Sequence, residues 1–141
     1  MTMQLARIHH VAIICADYAR SKRFYTEVLG LCVIAENYRA ARDSYKLDLA
    51  LPDGSQIELF SFPEAPARQT RPEAQGLRHL SFEVHDVRAA ADELAAQGIA
   101  VEPLRASTST RAGASPSSPT PMVFRLNSTK QHRPKTSTHC C

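Results

Sequence analysis

Residues 9–30 read HHVAIICADYARSKRFYTEVLG, and this stretch decides the fold. The apolar, β-branched run over residues 7–15 predicts a strand. Asp17 follows it as the predicted N-cap of a helix, because its carboxylate can accept hydrogen bonds from the first free backbone N–H groups. Gly30 suits the left-handed position just past the helix end. The sequence therefore begins with a strand–helix unit.

Three further strands are predicted after this helix. One covers residues 31–36, and two others, over residues 44–51 and 55–61, form a hairpin around the Pro-Asp-Gly turn at 52–54. Residues 62–76 carry three prolines and predict a loop. The first unit is thus strand–helix–strand–strand–strand.

The same unit then starts again, 69 residues further on. His79 stands seven residues before Asp86, just as His10 stands seven before Asp17. A strand over 77–84, a helix over 87–97 and a strand over 99–104 are predicted. A repeat of this length indicates one supersecondary unit used twice, each copy burying the apolar face of the other. The predicted class is α+β, with a second unit that stops after Arg105.

The chain changes character at that point. Residues 1–105 carry a net charge of −2, whereas residues 106–141 carry +5 with no acidic residue. Those last 36 residues hold seven Ser, six Thr and four Pro, a composition too poor in apolar residues to offset the entropy of ordering. The predicted organisation is a domain at 1–105 and a disordered tail at 106–141. Aromatic residues are not interleaved with the basic ones of the tail, apart from Phe124, so no nucleic-acid partner is expected.

A frame slip near Arg105 is the favoured explanation of the tail. Reading the third base of each codon with the first two bases of the next permits VDEYTGxRFTFFxDPDGxPLELYE, where x is undetermined. The glycine of DPDG is forced by the codons of Met122 and Val123. This reading restores alternating strands around a turn, where the repeat requires a hairpin.

Three residues are candidate metal ligands: His10, Glu58 and His79. Glu58 lies within an apolar strand and needs a partner or a metal. The repeat places the fourth member of the set at position 127, where the written residue is Asn127 and the shifted frame permits Glu. Two imidazoles and two carboxylates suit zinc, nickel, manganese or iron. Taken singly, each residue also fits an ordinary strand position.

Two other histidines are not expected to be ligands. His9 should point to the opposite face of the strand from its neighbour, and His85 falls in the turn before the second helix.

The segment at 38–48, YRAARDSYKLD, suggests a binding site for an anionic substrate. Arg39, Arg42 and Lys46 could pair with a carboxylate or phosphate. The alternative is a solvated loop whose charges are partly balanced by its own two aspartates.

No apolar run reaches the roughly 18 residues of a membrane span, so no membrane partner is expected. No signal-peptide core is present, and the cysteines form no C-x-x-C pair. Cytoplasmic location with free thiols is the prediction.

Three stretches, HHVAIICADYARSKRFYTEVLG, IELFSF and LRHLSFEVHD, together resemble the vicinal oxygen chelate (VOC) superfamily, and most closely its small bacterial glyoxalase-I-like proteins. The resemblance covers residues 7–105. It implies paired βαβββ modules curled around a divalent metal held by His10, Glu58 and His79. It also implies a lactoylglutathione-lyase-like metalloenzyme in which Glu58 moves a proton of a small vicinal-oxygen substrate through a metal-stabilised enediolate. A homodimer is common in that family.

Other functions remain open, because the superfamily also includes dioxygenases, epoxide-opening resistance enzymes and metal-free proteins of the bleomycin-resistance type. Stoichiometric metal would favour the enzyme, and metal-free binding of a planar drug would favour the binding protein. A third hypothesis is a non-functional frameshifted product that binds metal weakly and aggregates.

Overall fold

The chain divides into two compact units, Met1–Arg68 and Gln69–Cys141. This division is seen in a computed structural model, which describes residues 3–69, 71–72, 75–101 and 120–122. Each unit is described by itself below.

The first unit has the predicted βαβββ order. Its elements are β1 (His10–Cys15), α1 (Tyr18–Arg23), β2 (Cys32–Arg39), β3 (Ser44–Ala50) and β4 (Gln56–Ser61). The four strands form one sheet in the order β1-β4-β3-β2, in which β1 runs parallel to β4 and the other neighbours are antiparallel. The mixed α+β fold expected from the sequence is confirmed.

One face of this sheet holds the core. Leu47 and Leu49 of β3 and Ile57 and Leu59 of β4 are at most 2% exposed, as the strict alternation of apolar and polar residues in these strands dictates. Helix α1 packs against β4 on this side. Tyr25, just after α1, is also buried, with 2% of its surface exposed. The opposite face therefore carries the polar residues of the same strands.

The predicted helix signals are observed at both ends of this helix. The carboxylate of Asp17 accepts a hydrogen bond from the Arg20 backbone N–H at 3.0 Å. After α1 the chain continues as a π-helical turn, Phe24–Val28, and Gly30 then adopts a φ of 69°. Glycine is favoured there because a side chain would be strained in that conformation.

Two hairpins connect the last three strands. A 3₁₀ turn, Ala40–Arg42, joins β2 to β3. The predicted 52–54 turn joins β3 to β4, with the Asp53 carboxylate accepting from the Ser55 backbone N–H at 2.9 Å. The alternative interpretation of residues 38–48 is wrong as regards a loop, because most of that segment lies in the β2–β3 ladder. Its charge balance is observed in part, since Lys46 pairs with Asp48 at 2.8 Å.

Among its described residues, the second unit repeats the order strand, helix, strand. It contains β5 (Phe82–Val84), α2 (Val87–Ala96) and β6 (Thr120–Met122), with β6 antiparallel to β5. Asp86 caps α2 by accepting from the backbone N–H groups of Arg88 and Ala89 at 2.8 and 3.0 Å. In the described part of this module, one strand follows the helix. In the part of the chain that the structure describes, no helix is long and apolar enough to cross a membrane.

Two sequence expectations for this unit differ from what is observed, and a third falls largely outside the described residues. The strand predicted at 77–84 begins only at Phe82, so His79 precedes it. Residues 99–101 are not in a strand: no described strand pairs with them, and the Ile99 backbone N–H donates to the Leu94 carbonyl at 3.0 Å. The remainder of that predicted strand lies outside the described residues. Strand β6 lies in the tail predicted to be disordered, and the prediction for the rest of the tail concerns residues outside the described part.

Candidate functional site

The candidate site is the sheet face of the first unit that points away from α1, here called the open face. Pairing between β1, β4 and β3 fixes which residues are neighbours on it. Row by row across these three strands, the side chains are His10, Gln56 and Ala50; Ala12, Glu58 and Asp48; and Ile14, Phe60 and Lys46. The face thus combines an imidazole, two carboxylates, an ammonium group and an aromatic ring.

His10 and Glu58 are diagonal neighbours on this face. They lie on adjacent strands and two residues apart in register, which places their Cα atoms about 8 Å apart from the standard strand spacing and rise. His10 is exposed at the start of β1. At this separation, the side chains of His10 and Glu58 can both reach one ligand bound between them.

The two adjacent histidines contact each other. His9 Nδ1 and His10 Nδ1 are 2.9 Å apart, and the two rings meet edge to face with centroids 5.2 Å apart. Because β1 begins at His10, the alternation of strand side chains does not apply to His9, and the expectation that the two rings diverge is not observed. The contact occupies Nδ1 of His10, and Nε2 carries a lone pair for a ligand in the tautomer in which Nδ1 is the donor.

Lys46, Asp48 and Glu58 form a compact ionic group, called the carboxylate–lysine triad below. The Lys46 ammonium lies 2.8 Å from Asp48 Oδ1 and 2.9 Å from Glu58 Oε1. The lysine side chain is 20% exposed and each carboxylate 17%. The bonds to Asp48 and then to Glu58 raise the pKa of Lys46, because both stabilise its charged form. Lys46 is therefore already engaged by two carboxylates of its own chain.

Aromatic rings and a second cation lie next to this triad. The rings of Phe60 and Phe62 are stacked with centroids 5.9 Å apart, and the Arg42 guanidinium lies 4.9 Å from the Phe62 centroid. Among the described residues, Arg42 has no ion-pair partner. The Lys46 ammonium is 5.9 Å from the Phe60 ring. Arg39 ends β2 and is exposed. This end of the site offers positive charge beside a flat apolar surface.

The other predicted metal ligands are not gathered in the described residues. His79 is exposed and lies in the second unit, before β5. Position 127 lies outside the described residues. Within residues 3–69, 71–72, 75–101 and 120–122, no group of three or more His, Cys, Asp or Glu side chains could hold a metal ion.

The face that packs against α1 carries a different ionic group. The Lys22 ammonium bonds Glu36 at 2.5 Å, and the Tyr18 hydroxyl donates to the same carboxylate at 2.6 Å. The bond from Lys22, and to a smaller extent the bond from Tyr18, lower the pKa of Glu36. Tyr45 stacks on Tyr18 with centroids 5.0 Å apart, so it belongs to this side and not to the open face.

Two residues that the sequence interpretation did not assign to the site lie in it: Asp48, considered only as a charge partner, and His9, excluded as a ligand. Asp48 carries a signal that could have revealed it, since residues 46, 48 and 50 alternate onto one face of a predicted strand. That face becomes the Glu58 face only once the register of β3 against β4 is known. His9 carries no signal, because its contact depends on where β1 begins.

Residues 7–121 match the family model of the Glyoxalase/Bleomycin resistance protein/Dioxygenase superfamily. The chain is 58% identical to the uncharacterized protein YwkD of Bacillus subtilis over 103 aligned residues. The aligned region covers 73% of this chain and 80% of the relative.

Solved structures show the same similarity. SMU.1112c superposes with a TM-score of 0.74 at 38% identity, covering 89% of this chain and 95% of its own. The glyoxalase family protein from Enterococcus faecalis has a TM-score of 0.72 at 38% identity, covering 86% and 91%. A fosfomycin resistance protein from Listeria monocytogenes, complexed with Mn(II), shares the fold at 15% identity with a TM-score of 0.57, covering 74% and 79%.

Proposed function

The chain belongs to the Glyoxalase/Bleomycin resistance protein/Dioxygenase superfamily, and we propose on that basis that it is a metal-dependent, glyoxalase-like lyase or isomerase acting on a small substrate with adjacent oxygen atoms. The observation that carries the proposal is the placement of His10 and Glu58 as diagonal neighbours on the open face. A family fold does not by itself define a reaction, so the argument rests on these side chains.

The donor chemistry of the open face fits a divalent cation. His10 offers Nε2, the ring nitrogen outside its contact with His9. Glu58 offers a carboxylate that is 17% exposed and paired with Lys46. We propose His79 of the second unit as the third ligand, on the strength of its position in the sequence repeat. An imidazole and carboxylate set of this kind suits zinc, nickel, manganese or iron. The Mn(II) in the Listeria protein of the same fold supports a metal for this chain.

Within this proposal, each part of the face has a task. A bound divalent cation would polarise the adjacent oxygens of the substrate. Glu58 would take a proton from the hydroxyl-bearing carbon next to the carbonyl group and return it to the former carbonyl carbon, as a positioned general base and acid. The hydroxyl proton would pass to the former carbonyl oxygen, so that the two adjacent oxygens exchange roles. Arg42 and Arg39 would bind an anionic group of the substrate, and the stacked Phe60 and Phe62 rings would contact its apolar part. The anionic group of the substrate would bind the Arg42 guanidinium, which already lies against the Phe62 ring.

The metal part of the proposal is tested by calorimetric titration of the metal-free full-length protein with Mn²⁺, Ni²⁺ and Zn²⁺. One cation per chain is expected, with at least tenfold weaker binding in Glu58→Gln and in His10→Ala. Glu83→Gln is the matched control, because Glu83 is an exposed strand carboxylate of β5. Binding that is unchanged in both site variants would refute the proposed ligands.

The reaction is tested with α-hydroxycarbonyl compounds in deuterated water. NMR should show metal-dependent incorporation of deuterium at the carbon next to the carbonyl group, and Glu58→Gln should abolish it. Failure of exchange with intact metal binding would leave the metal site standing and reject this chemistry.

A metal-free drug-binding protein is the second candidate. The stacked phenylalanine rings on the open face, with Arg42 against one of them, would suit a planar ligand that carries an anionic group. Binding of such a ligand, unaffected by a chelator and lost in Phe60→Ala, would favour this function over the enzyme.

A further inference from the structure

The carboxylate–lysine triad contains an arrangement that neither substrate binding nor metal binding alone explains. Asp48 and Glu58 are directly opposite each other on antiparallel strands, where Cβ atoms are about 5 Å apart and like charges repel. Lys46 relieves this repulsion by contacting both carboxylates, at 2.8 and 2.9 Å. Both contacts are ion pairs, and Asp48 Oδ1 is buried without a hydrogen-bond partner among the described residues.

A cation bound by Glu58 would compete with this lysine. The ammonium and the cation both seek the same carboxylate and repel each other at short range. If Glu58 turns to the cation, Lys46 keeps one partner, because Asp48 is its neighbour on the same strand face. Asp48 therefore retains the ammonium group near its original position when Glu58 is released.

We propose that Lys46 and Asp48 are positioning residues that set the cation affinity of Glu58: Lys46 lowers it by competition, and Asp48 raises it by retaining Lys46. This inference rests on the proposed function, in that it assumes a cation at Glu58. It assigns Lys46 a role inside the site in place of the substrate contact expected from the sequence. The substrate's anionic group is left to the arginines.

The two variants that remove the partners of Glu58 should act in opposite directions. Lys46→Met removes the competitor and leaves two free carboxylates, so Mn²⁺ should bind about tenfold more tightly, as expected for the loss of one nearby positive charge. Asp48→Asn leaves Lys46 with Glu58 as its remaining carboxylate, so Mn²⁺ should bind roughly fivefold more weakly. In Lys46→Met combined with Asp48→Asn, the affinity should return to within about threefold of the original value.

The measurement is calorimetric titration of the full-length chain with Mn²⁺ alone, supported by circular dichroism to confirm that each variant is folded. Lys22→Met is the matched control, because Lys22 forms an ion pair with Glu36 on the α1 side of the sheet. Its Mn²⁺ affinity should equal that of the unaltered protein. Lys46→Gln provides a second, polar replacement and should also tighten binding.

The outcomes separate this inference from the proposed function. Opposite shifts in the two single variants support it, whereas a purely structural role would weaken binding in both. Shifts in one direction, or none, overturn it even if Glu58→Gln shows that the cation binds at the proposed site. If the unaltered protein binds no Mn²⁺ but Lys46→Met does, the inference stands and the proposed metal dependence fails. If neither binds, the inference is overturned as well.

Discussion

At the scale of single residues, two tyrosines on the α1 side of the sheet have opposite environments. The Tyr25 hydroxyl is buried with no hydrogen-bond partner among the described residues, and burial raises the pKa of this group. The Tyr18 hydroxyl donates to Glu36 at 2.6 Å. A buried polar group without a partner costs free energy, whereas a satisfied one contributes to stability.

Tyr25→Phe should therefore raise the free energy of unfolding by about 1 kcal/mol, because it removes the unpaired hydroxyl and keeps the ring. Tyr18→Phe should lower it by about 1 kcal/mol, since it breaks a hydrogen bond to a charged acceptor. Urea denaturation followed by circular dichroism measures both. Destabilisation by the Tyr25 variant would show that its hydroxyl has a partner outside the described residues.

The cysteines give a second prediction at this scale. Cys15 is 8% exposed, and burial raises the pKa of its thiol more than the hydrogen bond from Ser21 lowers it. Cys32 is exposed at the start of β2. Because the thiolate is the reactive form and is depleted below a raised pKa, Cys15 should react with iodoacetamide at pH 8 at least about tenfold more slowly than Cys32. Peptide mapping by mass spectrometry distinguishes the sites, and equal rates would mean that β1 opens readily.

At the scale of elements, the helices and hairpins were predictable because their signals are local. A carboxylate before a helix and a glycine after it act within a few residues, and both Asp17 and Asp86 are observed as caps. The π-helical turn Phe24–Val28 was not predicted, since no single residue type specifies it.

The cap of α1 should be worth a measurable amount. Asp17→Ala removes the acceptor for the Arg20 N–H and should lower the free energy of unfolding by about 1 kcal/mol. Asp17→Asn keeps an acceptor oxygen and should cost less than half as much. Thermal and urea denaturation of the two variants provide the comparison. Equal losses would indicate that the negative charge, not the cap hydrogen bond, stabilises this helix.

What the sequence could not supply is the lateral order of the strands. Glu58 was recognised as a carboxylate that needs a partner, but the partner is Lys46 on the adjacent strand, and register between strands leaves no short-range signal. The same limit applies to His79. It was predicted to lie within a strand, but the observed strand begins three residues after it, at Phe82. A strand exists only where a neighbour pairs with it, so apolar alternation alone overstates its length. The roles of His10, Glu58 and His79 as ligands stay predictions.

At the scale of the whole molecule, the two units differ in how many strands are described after the helix. In the first unit, three strands follow the helix; in the second, the structure describes one strand after α2, Thr120–Met122. The family model likewise extends to residue 121. Yet residues 106–141 contain only four Val, Leu, Met and Phe residues, too few to complete a module like the first. The shifted reading, which stays a prediction, would supply the apolar strands and a glutamate at position 127.

The source DNA across codons 105–131 decides whether the natural C-terminal segment is the given sequence of residues 106–141 or the shifted reading. We expect the third bases to spell the reading that contains DPDG and LELYE, because that reading completes the repeat. A chain repaired in this way should bury more apolar surface, so its melting temperature should rise by at least about 5 °C, the shift that about 1 kcal/mol produces in a domain of this size. It should also bind Mn²⁺ more tightly than the written chain, because a fourth ligand is added.

If the third bases do not permit the reading, the written tail is the natural one and the four-ligand set is rejected. Any metal site would then rest on His10, Glu58 and His79 alone, and the metal-free binding protein would become the stronger hypothesis.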